Sequence, residues 1–164
     1  KVNRLSTLKD TSEYTEIVHL HKSGINPIRI EDLSGHIKGR ANILSKIKEM
    51  FGNAEKEITI HTSIEDLENK SRVLLPVIKN LEKAGKLKIK ISVTGEEHRV
   101  RRYANRNEMK IKESEATGKF FIIDRKELLF MIHPENSEEE LGVWINSTYF
   151  ANAFCNIYER TQRN

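Results

Sequence analysis

Two short apolar runs, separated by a few charged residues, are the feature that most restricts how this 164-residue chain can fold. The stretch is KFFIIDRKELLFMI, residues 119–132. Aliphatic and aromatic runs on either side of a short polar segment are typical of a β-hairpin with a tight turn. The sequence therefore predicts a hairpin here, and the segments around it indicate what kind of sheet the hairpin joins.

Helical spacing of apolar residues recurs on both sides of the hairpin. The first of these segments opens with a capping box, Asp10 to Glu13, and stops at Gly24. In the long third segment, Pro76 is expected to kink or break the helix. The last begins at Ser147 as its N-cap. The predicted helices cover residues 10–23, 39–52, 64–84, 95–106 and 147–158, and the last should bury Phe150, Ala153, Phe154 and Ile157.

Strand-like segments lie between these helices. They comprise one or two short strands within 25–40, then 56–63, 86–94, 108–114, the hairpin, and 141–147. Helix–strand repeats followed by three strands and a helix are typical of a layered α/β domain. The predicted fold class is therefore α/β, with a mixed β-sheet flanked by helices.

Composition limits the classes of protein to which the chain can belong. The net charge of +4 comes with 24 acidic residues spread among the basic ones, which is only a weak indication of a nucleic-acid partner. The single cysteine, Cys155, cannot form an internal disulfide and favours a cytoplasmic location. No apolar run is long enough to cross a membrane. The chain begins at Lys1 without a leader, which we interpret as a segment of a longer protein.

Small polar residues follow three predicted strands, where ligands usually bind in α/β sheets. The three ends are His61–Ser63, Ser92–Glu97 and Asn146–Thr148. Each Ser or Thr has an ordinary alternative role as a helix cap. We expect the three ends to meet at one rim and to form a small polar-ligand site. The candidates are Thr62, Ser63, Thr94, Asn146 and Ser147.

The hairpin carries a partial likeness to a catalytic motif. TGKFFIID, residues 117–124, resembles the phospholipase D signature of histidine, any residue, lysine, four residues and aspartate. Lys119 and Asp124 fit, whereas Thr117 stands in the place of the histidine. In that family the histidine attacks phosphorus, and a threonine hydroxyl is a poor nucleophile without an activating base. The family also uses two motifs per site, and this chain has one. The resemblance therefore implies the fold without catalysis, and adds Thr117 and Lys119 to the candidate ligand-binding residues.

A broader resemblance covers roughly residues 30–158. Its segments are IKGRANILSKIKEMFGNAEKEITIHTS, LLPVIKNLEKAGKLKIKISVT, KFFIIDRKELLFMI and VWINSTYFANAF. Together they are similar to the effector domain of archaeal TrmB-like transcriptional regulators. The resemblance implies a phospholipase D-like effector domain at 28–164, preceded by a linker or dimerisation helix at 1–27. It also implies a homodimer, a small polar ligand such as a sugar or an anion, and DNA contact only through a winged-helix domain that this sequence lacks.

Other hypotheses remain open at this point. The chain could be a phosphodiesterase or nuclease with an atypical site. HRVRRYANR could bind nucleic acid, with Arg99, Arg101, Arg102 and Arg106 on phosphates and Tyr103 as a stacking ring. Lys119 has two possible environments. It faces either solvent or a cleft, and in a cleft its charge needs an anion, a polyol or a carboxylate as a partner. Asp124 is expected to be a turn residue. No histidine spacing predicts a metal site, and no cofactor is expected.

Overall fold

The computed structural model describes residues 34–132 and 139–161. In chain order these residues form β1 (Ser34–Lys38), α1 (Arg40–Gly52), β2 (Glu57–Ser63), α2 (Ile64–Ala84), β3 (Lys88–Thr94), α3 (Glu97–Arg106), β4 (Lys112–Glu113), β5 (Phe120–Ile123), β6 (Glu127–Ile132), β7 (Leu141–Asn146) and α4 (Thr148–Thr161). The helix predicted at 10–23 lies outside the described residues, as does the linker segment 1–27.

The described strands form one mixed sheet in the order β1-β7-β6-β5-β2-β3-β4. β2, β3 and β4 run parallel, and the other neighbouring pairs are antiparallel. The carboxyl ends of β2 and β3 therefore lie at the same end of the sheet as the start of β5, where His61 pairs with Phe120. We call this end of the sheet the rim. β7 terminates at the opposite end of the sheet, where Asn146 pairs with Glu127 beside the hairpin turn.

Helices cover both faces of the sheet. Side chains of α1, α2 and α3 pack on one face and form the larger core. On the other face α4 packs over a smaller cluster that includes Phe120, Ile122 and Leu128. All four residues of β5 are buried because alternate side chains enter the two cores. The predicted α/β class with a mixed, helix-flanked sheet is confirmed, and so is the hairpin.

α2 does not break at Pro76. Its 21 residues run without interruption from the Ser63 cap to Gly85, which adopts the left-handed conformation that ends the helix. Pro76 and Arg72 are both exposed, and Pro76 has no N–H to donate to the Arg72 carbonyl. Leu74 and Ile78, on the opposite side, are almost fully buried. Their burial offsets the lost hydrogen bond, so the break, one of the two outcomes expected at Pro76, was wrong.

Three of the four residues predicted to be buried in α4 are exposed, while Phe154 packs against the smaller cluster. Ser147 caps the helix as expected, because its Oγ accepts the Phe150 N–H at 3.3 Å. Ala151, Cys155 and Tyr158 are buried, however, while Phe150 is 52% and Ile157 64% exposed. Ala153 is exposed as well, and Phe154 is half-buried. The small side chains of Ala151 and Cys155 let the helix approach the sheet closely, so this stripe faces inward.

Candidate functional site

The start of α2 brings a pair of opposite charges to the rim. Ser63 ends β2 and caps α2, and its Oγ accepts the Asp66 N–H at 3.1 Å. This cap fixes the first turn of the helix. Lys70 follows one turn later on the same face, since residues four apart are neighbours on a helix. Lys70 Nζ lies 2.5 Å from Asp66 Oδ1.

Four charged side chains and one hydroxyl meet at this point. Lys70 Nζ also contacts Glu140 Oε1 at 3.3 Å, and Lys119 Nζ lies 3.8 Å from Asp66 Oδ1. Thr62 Oγ1 donates to Asp66 Oδ2 at 3.2 Å. The Lys70 side chain is only 3% exposed, whereas that of Lys119 is 21% exposed. We call Asp66, Lys70, Lys119 and Glu140 the rim cluster.

The rim cluster balances its own charge. Burial opposes ionisation of Asp66, but the hydrogen bond from Lys70 and the positive charges of Lys70 and Lys119 outweigh it and hold the pKa of Asp66 below its usual value. Two cations thus face two carboxylates. Lys119 faces the rim and pairs with a carboxylate, which was one of the alternatives the sequence left open. An incoming anion would have to compete with Asp66 for it.

One carboxylate oxygen of the rim cluster is unsatisfied. Glu140 Oε2 is buried and has no hydrogen-bond partner among the described residues. Leaving a buried charged oxygen without a donor is costly, and such an atom often marks where a ligand or water binds. This oxygen is therefore a buried acceptor whose hydrogen-bonding capacity is unused among the described residues.

The structure brings together only some of the predicted ligand residues. Thr62, Ser63 and Thr94 lie at the rim, where Ser63 pairs with Thr94. The hydroxyls of Thr62 and Ser63 are already engaged with Asp66. Thr94 is half-buried and Thr117 is exposed.

Asn146 and Ser147 do not belong to the rim, which corrects the expectation that all three strand ends converge. β7 runs antiparallel to β6 and terminates at the opposite end of the sheet. Ser147 N–H donates to Lys126 O in the hairpin turn at 2.8 Å. Ser147 caps α4, and Asn146 is exposed. The direction of β7 depends on its pairing with β6 and is not encoded in the residues of β7 themselves.

Asp124 has a structural role in the turn. Its carboxylate accepts the N–H groups of Glu55, Lys56 and Glu57 at 2.9, 2.7 and 2.8 Å. Its backbone adopts a φ of 53°, which aspartate tolerates in turns. Burial acts to raise the pKa of Asp124, but the three N–H donors dominate and hold it below its usual value. The motif aspartate therefore ties the hairpin to the start of β2, a stronger role than the turn residue predicted.

His61 lies at the same end of the sheet but on the α4 face, and it was not among the ligand-binding residues predicted from the sequence. Its Nδ1 lies 2.7 Å from Gly118 O and its Nε2 3.2 Å from Ser114 Oγ, and the ring stacks on Phe120. Burial lowers the pKa of His61, with the bond to Gly118 opposing the shift. A carbonyl can only accept, so Nδ1 carries the proton and Nε2 accepts from Ser114. His61 is fully buried, and both of its ring nitrogens have hydrogen-bond partners.

The sequence did contain a signal for Asp66 and Lys70. Lys70 falls on the apolar stripe formed by Leu67, Leu74 and Ile78. A lysine on such a stripe is buried only when it finds a carboxylate, and Asp66 lies four residues before it. Nothing comparable pointed to Glu140, which reaches Lys70 across 70 positions of the chain.

Two of the four arginines of α3 pair with carboxylates of the same chain. Arg99 Nε contacts Glu68 Oε1 at 3.1 Å, and Arg101 Nε contacts Glu113 Oε1 at 2.9 Å. Tyr103 is 9% exposed and its hydroxyl bonds Ser71. A buried tyrosine offers no face for stacking on bases. The stacking ring outlined from the sequence is therefore not available on α3, whereas Arg102 and Arg106 are exposed.

Within 34–132 and 139–161, no group of three or more His, Cys, Asp or Glu side chains has the arrangement of a metal site. No helix in this part of the chain has the length and apolar content needed to span a membrane.

Comparison with known proteins identifies the family. The profile described as "Transcriptional regulator TrmB, EBD N-terminal subdomain" matches residues 35–163. This chain belongs to that TrmB family. It is accordingly a domain of a transcription regulator, as the resemblance of its sequence to TrmB-like effector domains implied. No curated protein sequence matches the chain.

Solved structures support the same fold. TrmBL2, described as an archaeal chromatin protein with a novel mode of DNA binding, is 14% identical with a TM-score of 0.54 and matches 96% of this TrmB-family chain. The chain spans 63% of the length of TrmBL2. Nuc, a phospholipase D family member from Salmonella typhimurium, is 13% identical over 79% of this chain and 94% of its own, with a TM-score of 0.58. NucT from Helicobacter pylori is 14% identical over 79% of this chain and 94% of its own, with a TM-score of 0.56. At these identities the likeness shows the phospholipase D fold.

Proposed function

We propose that this TrmB-family domain senses a small ligand at the rim and has no phosphodiesterase activity. The observation that carries the proposal is the state of Lys119. Its ammonium group lies 3.8 Å from Asp66 within a charge-balanced cluster. A lysine that stabilises a phosphodiester transition state must instead face the developing negative charge.

The missing nucleophile supports the same proposal. Thr117 stands at the position where the resemblance places a histidine, and it is exposed at the rim. A secondary alcohol attacks phosphorus slowly unless a base removes its proton. His61, at the same end of the sheet, is buried and bonded at both ring nitrogens, so it cannot serve as that base.

The chemistry of the rim cluster favours a neutral polyhydroxyl ligand, such as a sugar, over an anion. Glu140 Oε2 is an unsatisfied acceptor, and the partly exposed Lys119 is a donor. Hydroxyl groups both donate and accept, so they can bond to these two groups without adding charge. An anion would add a negative charge beside two carboxylates, which is unfavourable.

A hydrolysis assay tests the absence of catalysis. Wild type, Thr117→Ala and Lys119→Ala are compared on bis(4-nitrophenyl) phosphate, an activated phosphodiester. We expect no turnover above buffer for any of the three. Activity that persists through purification and disappears in both variants would overturn the proposal in favour of a phosphodiesterase.

Calorimetric titration tests the ligand class. A panel of neutral mono- and disaccharides is compared with inorganic phosphate and sulfate. We expect a saccharide to bind wild type, and to bind Glu140→Gln and Lys119→Ala more weakly. Lys48→Ala, an exposed lysine on α1, is the matched control and should not change the affinity. Phosphate or sulfate binding that exceeds saccharide binding would contradict the assignment.

A further inference from the structure

An open groove lies beside β3 and β4, the two outermost strands on one side of the sheet, and is separate from the rim cluster. It has a volume of about 900 Å³ and runs along β3, α3 and the segment that leads into β4. Its apolar lining includes Ile89, Ile91, Met109 and Ile111. The volume falls within the range of sites that bind ligands in proteins.

The strand beside this groove has an unpaired edge. β4 pairs only with Ser92 and Val93, which leaves the first half of β3 without an outer neighbour among the described residues. Lys88 N–H donates to Lys56 O at 3.0 Å, on the inner side. Successive residues of a strand direct their backbone groups to opposite sides, so the N–H groups of Ile89 and Ile91 point outward. Exposed strand edges of this kind pair readily with another strand.

The groove carries excess positive charge. Lys90 lies 3.5 Å from Glu159, and Arg101 pairs with Glu113, which accounts for both carboxylates in the lining. Lys88, Lys110 and Lys112 also line the groove and are exposed. These three lysines have no carboxylate partner in the described part of the chain. Pairing with the same edge of a second copy would bring like charges together, whereas an acidic partner would meet complementary charge.

The two faces of β3 differ in a way that specifies the partner further. Side chains alternate along a strand, so Ile89 and Ile91 lie on one face, and Lys88 and Lys90 lie on the other. The two isoleucines belong to the larger core. Lys112 is paired with Ser92 and lies on the lysine face. An added strand that alternated apolar and acidic residues would match both faces at once.

We propose that this groove binds an acidic peptide segment of a partner protein, which adds to β3 as an extra strand. Backbone hydrogen bonds to the Ile89 and Ile91 N–H groups would hold the segment, and the lysine face would select its acidic residues. The unpaired stretch, 88–91, fits roughly four peptide residues at about 3.3 Å each. The proposal concerns a different surface from the rim and does not depend on the ligand proposed there.

Amide hydrogen exchange provides the test. The isotope-labelled chain is mixed with a blocked peptide of alternating glutamate and valine, and a peptide of alternating lysine and valine is the control. We expect the Ile89 and Ile91 amides to exchange rapidly in the free chain and slowly in the glutamate complex. The Lys90 amide, which faces β2, should not change. Slow exchange of Ile89 and Ile91 in the free chain would overturn the proposal, because the edge would already be paired.

Charge reversal tests the selection of acidic residues. The double variant Lys110→Glu, Lys112→Glu should weaken binding of the glutamate peptide about tenfold. Lys48→Glu, which reverses an exposed lysine on α1, should leave binding unchanged. Equal binding of the lysine peptide would contradict the proposal. So would duplex DNA that shifts the groove amides at lower concentration than the peptide, since the groove would then be a nucleic-acid site.

Discussion

At the scale of single residues, Lys70 and Lys119 share one carboxylate but differ in burial. Lys70 is 3% exposed and bonds Asp66 closely, while Lys119 is 21% exposed and lies farther away. Removing Lys70 leaves the buried Asp66 and the half-buried Glu140 with one cation fewer. We expect Lys70→Ala to lower the free energy of unfolding by about 3 kcal/mol. Lys119→Ala should lower it by less than about 1 kcal/mol. Urea unfolding of the two variants measures the difference, and equal losses would contradict it.

Asp124 should give the domain a pH-dependent contribution to stability. Its pKa is held below that of the unfolded chain, so its contribution is complete above about pH 4 and is lost as pH falls through the folded value. At pH 7 we expect Asp124→Ala to cost about 2 kcal/mol, because three N–H groups lose a charged acceptor. The difference in free energy of unfolding between wild type and Asp124→Ala should shrink below about pH 4. Asp124→Asn keeps one acceptor oxygen, so its free energy of unfolding at pH 7 should lie between those of wild type and Asp124→Ala.

At the scale of elements, α4 shows how its inward face can be tested. Ala151 is fully buried against the sheet, and Ala153, two positions later, is exposed. The same substitution at both sites is therefore a matched pair. Ala151→Leu should destabilise the fold by about 1–3 kcal/mol through overpacking. Ala153→Leu should change stability by no more than about 0.5 kcal/mol. The reverse order in thermal unfolding would support the face predicted from the sequence.

At the scale of the whole molecule, we expect the chain to form a homodimer. The family resemblance supports this prediction, and α4 leaves Tyr149 82%, Phe150 52% and Ile157 64% exposed. Exposed apolar patches often mark contacts between proteins. Light scattering should give about twice the 19.0 kDa mass of one chain. Phe150→Ser should weaken association if α4 contributes, with Lys48→Ser as the control. A monomer at high concentration would contradict the prediction.

Local sequence determined most of the elements. The apolar runs around residues 124–126 specified the hairpin, the Ser63 cap and Gly85 specified the limits of α2, and the spacing of Ile43, Ile47 and Met50 specified α1. Each of these signals is carried by residues that lie close together in the sequence. Such patterns act through backbone preferences and one-sided burial, which are present in the sequence itself.

Tertiary structure alone decided the composition of the site. The direction of β7 placed Asn146 and Ser147 at the end of the sheet opposite the rim. The pairing of Lys70 with Glu140, 70 positions away, and of Asp124 with the start of β2 depends on how distant segments pack. On α4, two neighbouring apolar stripes were both suitable for burial, and the closer fit of Ala151 and Cys155 to the sheet selected one. These outcomes follow from contacts between segments far apart in the chain, which local periodicity does not encode.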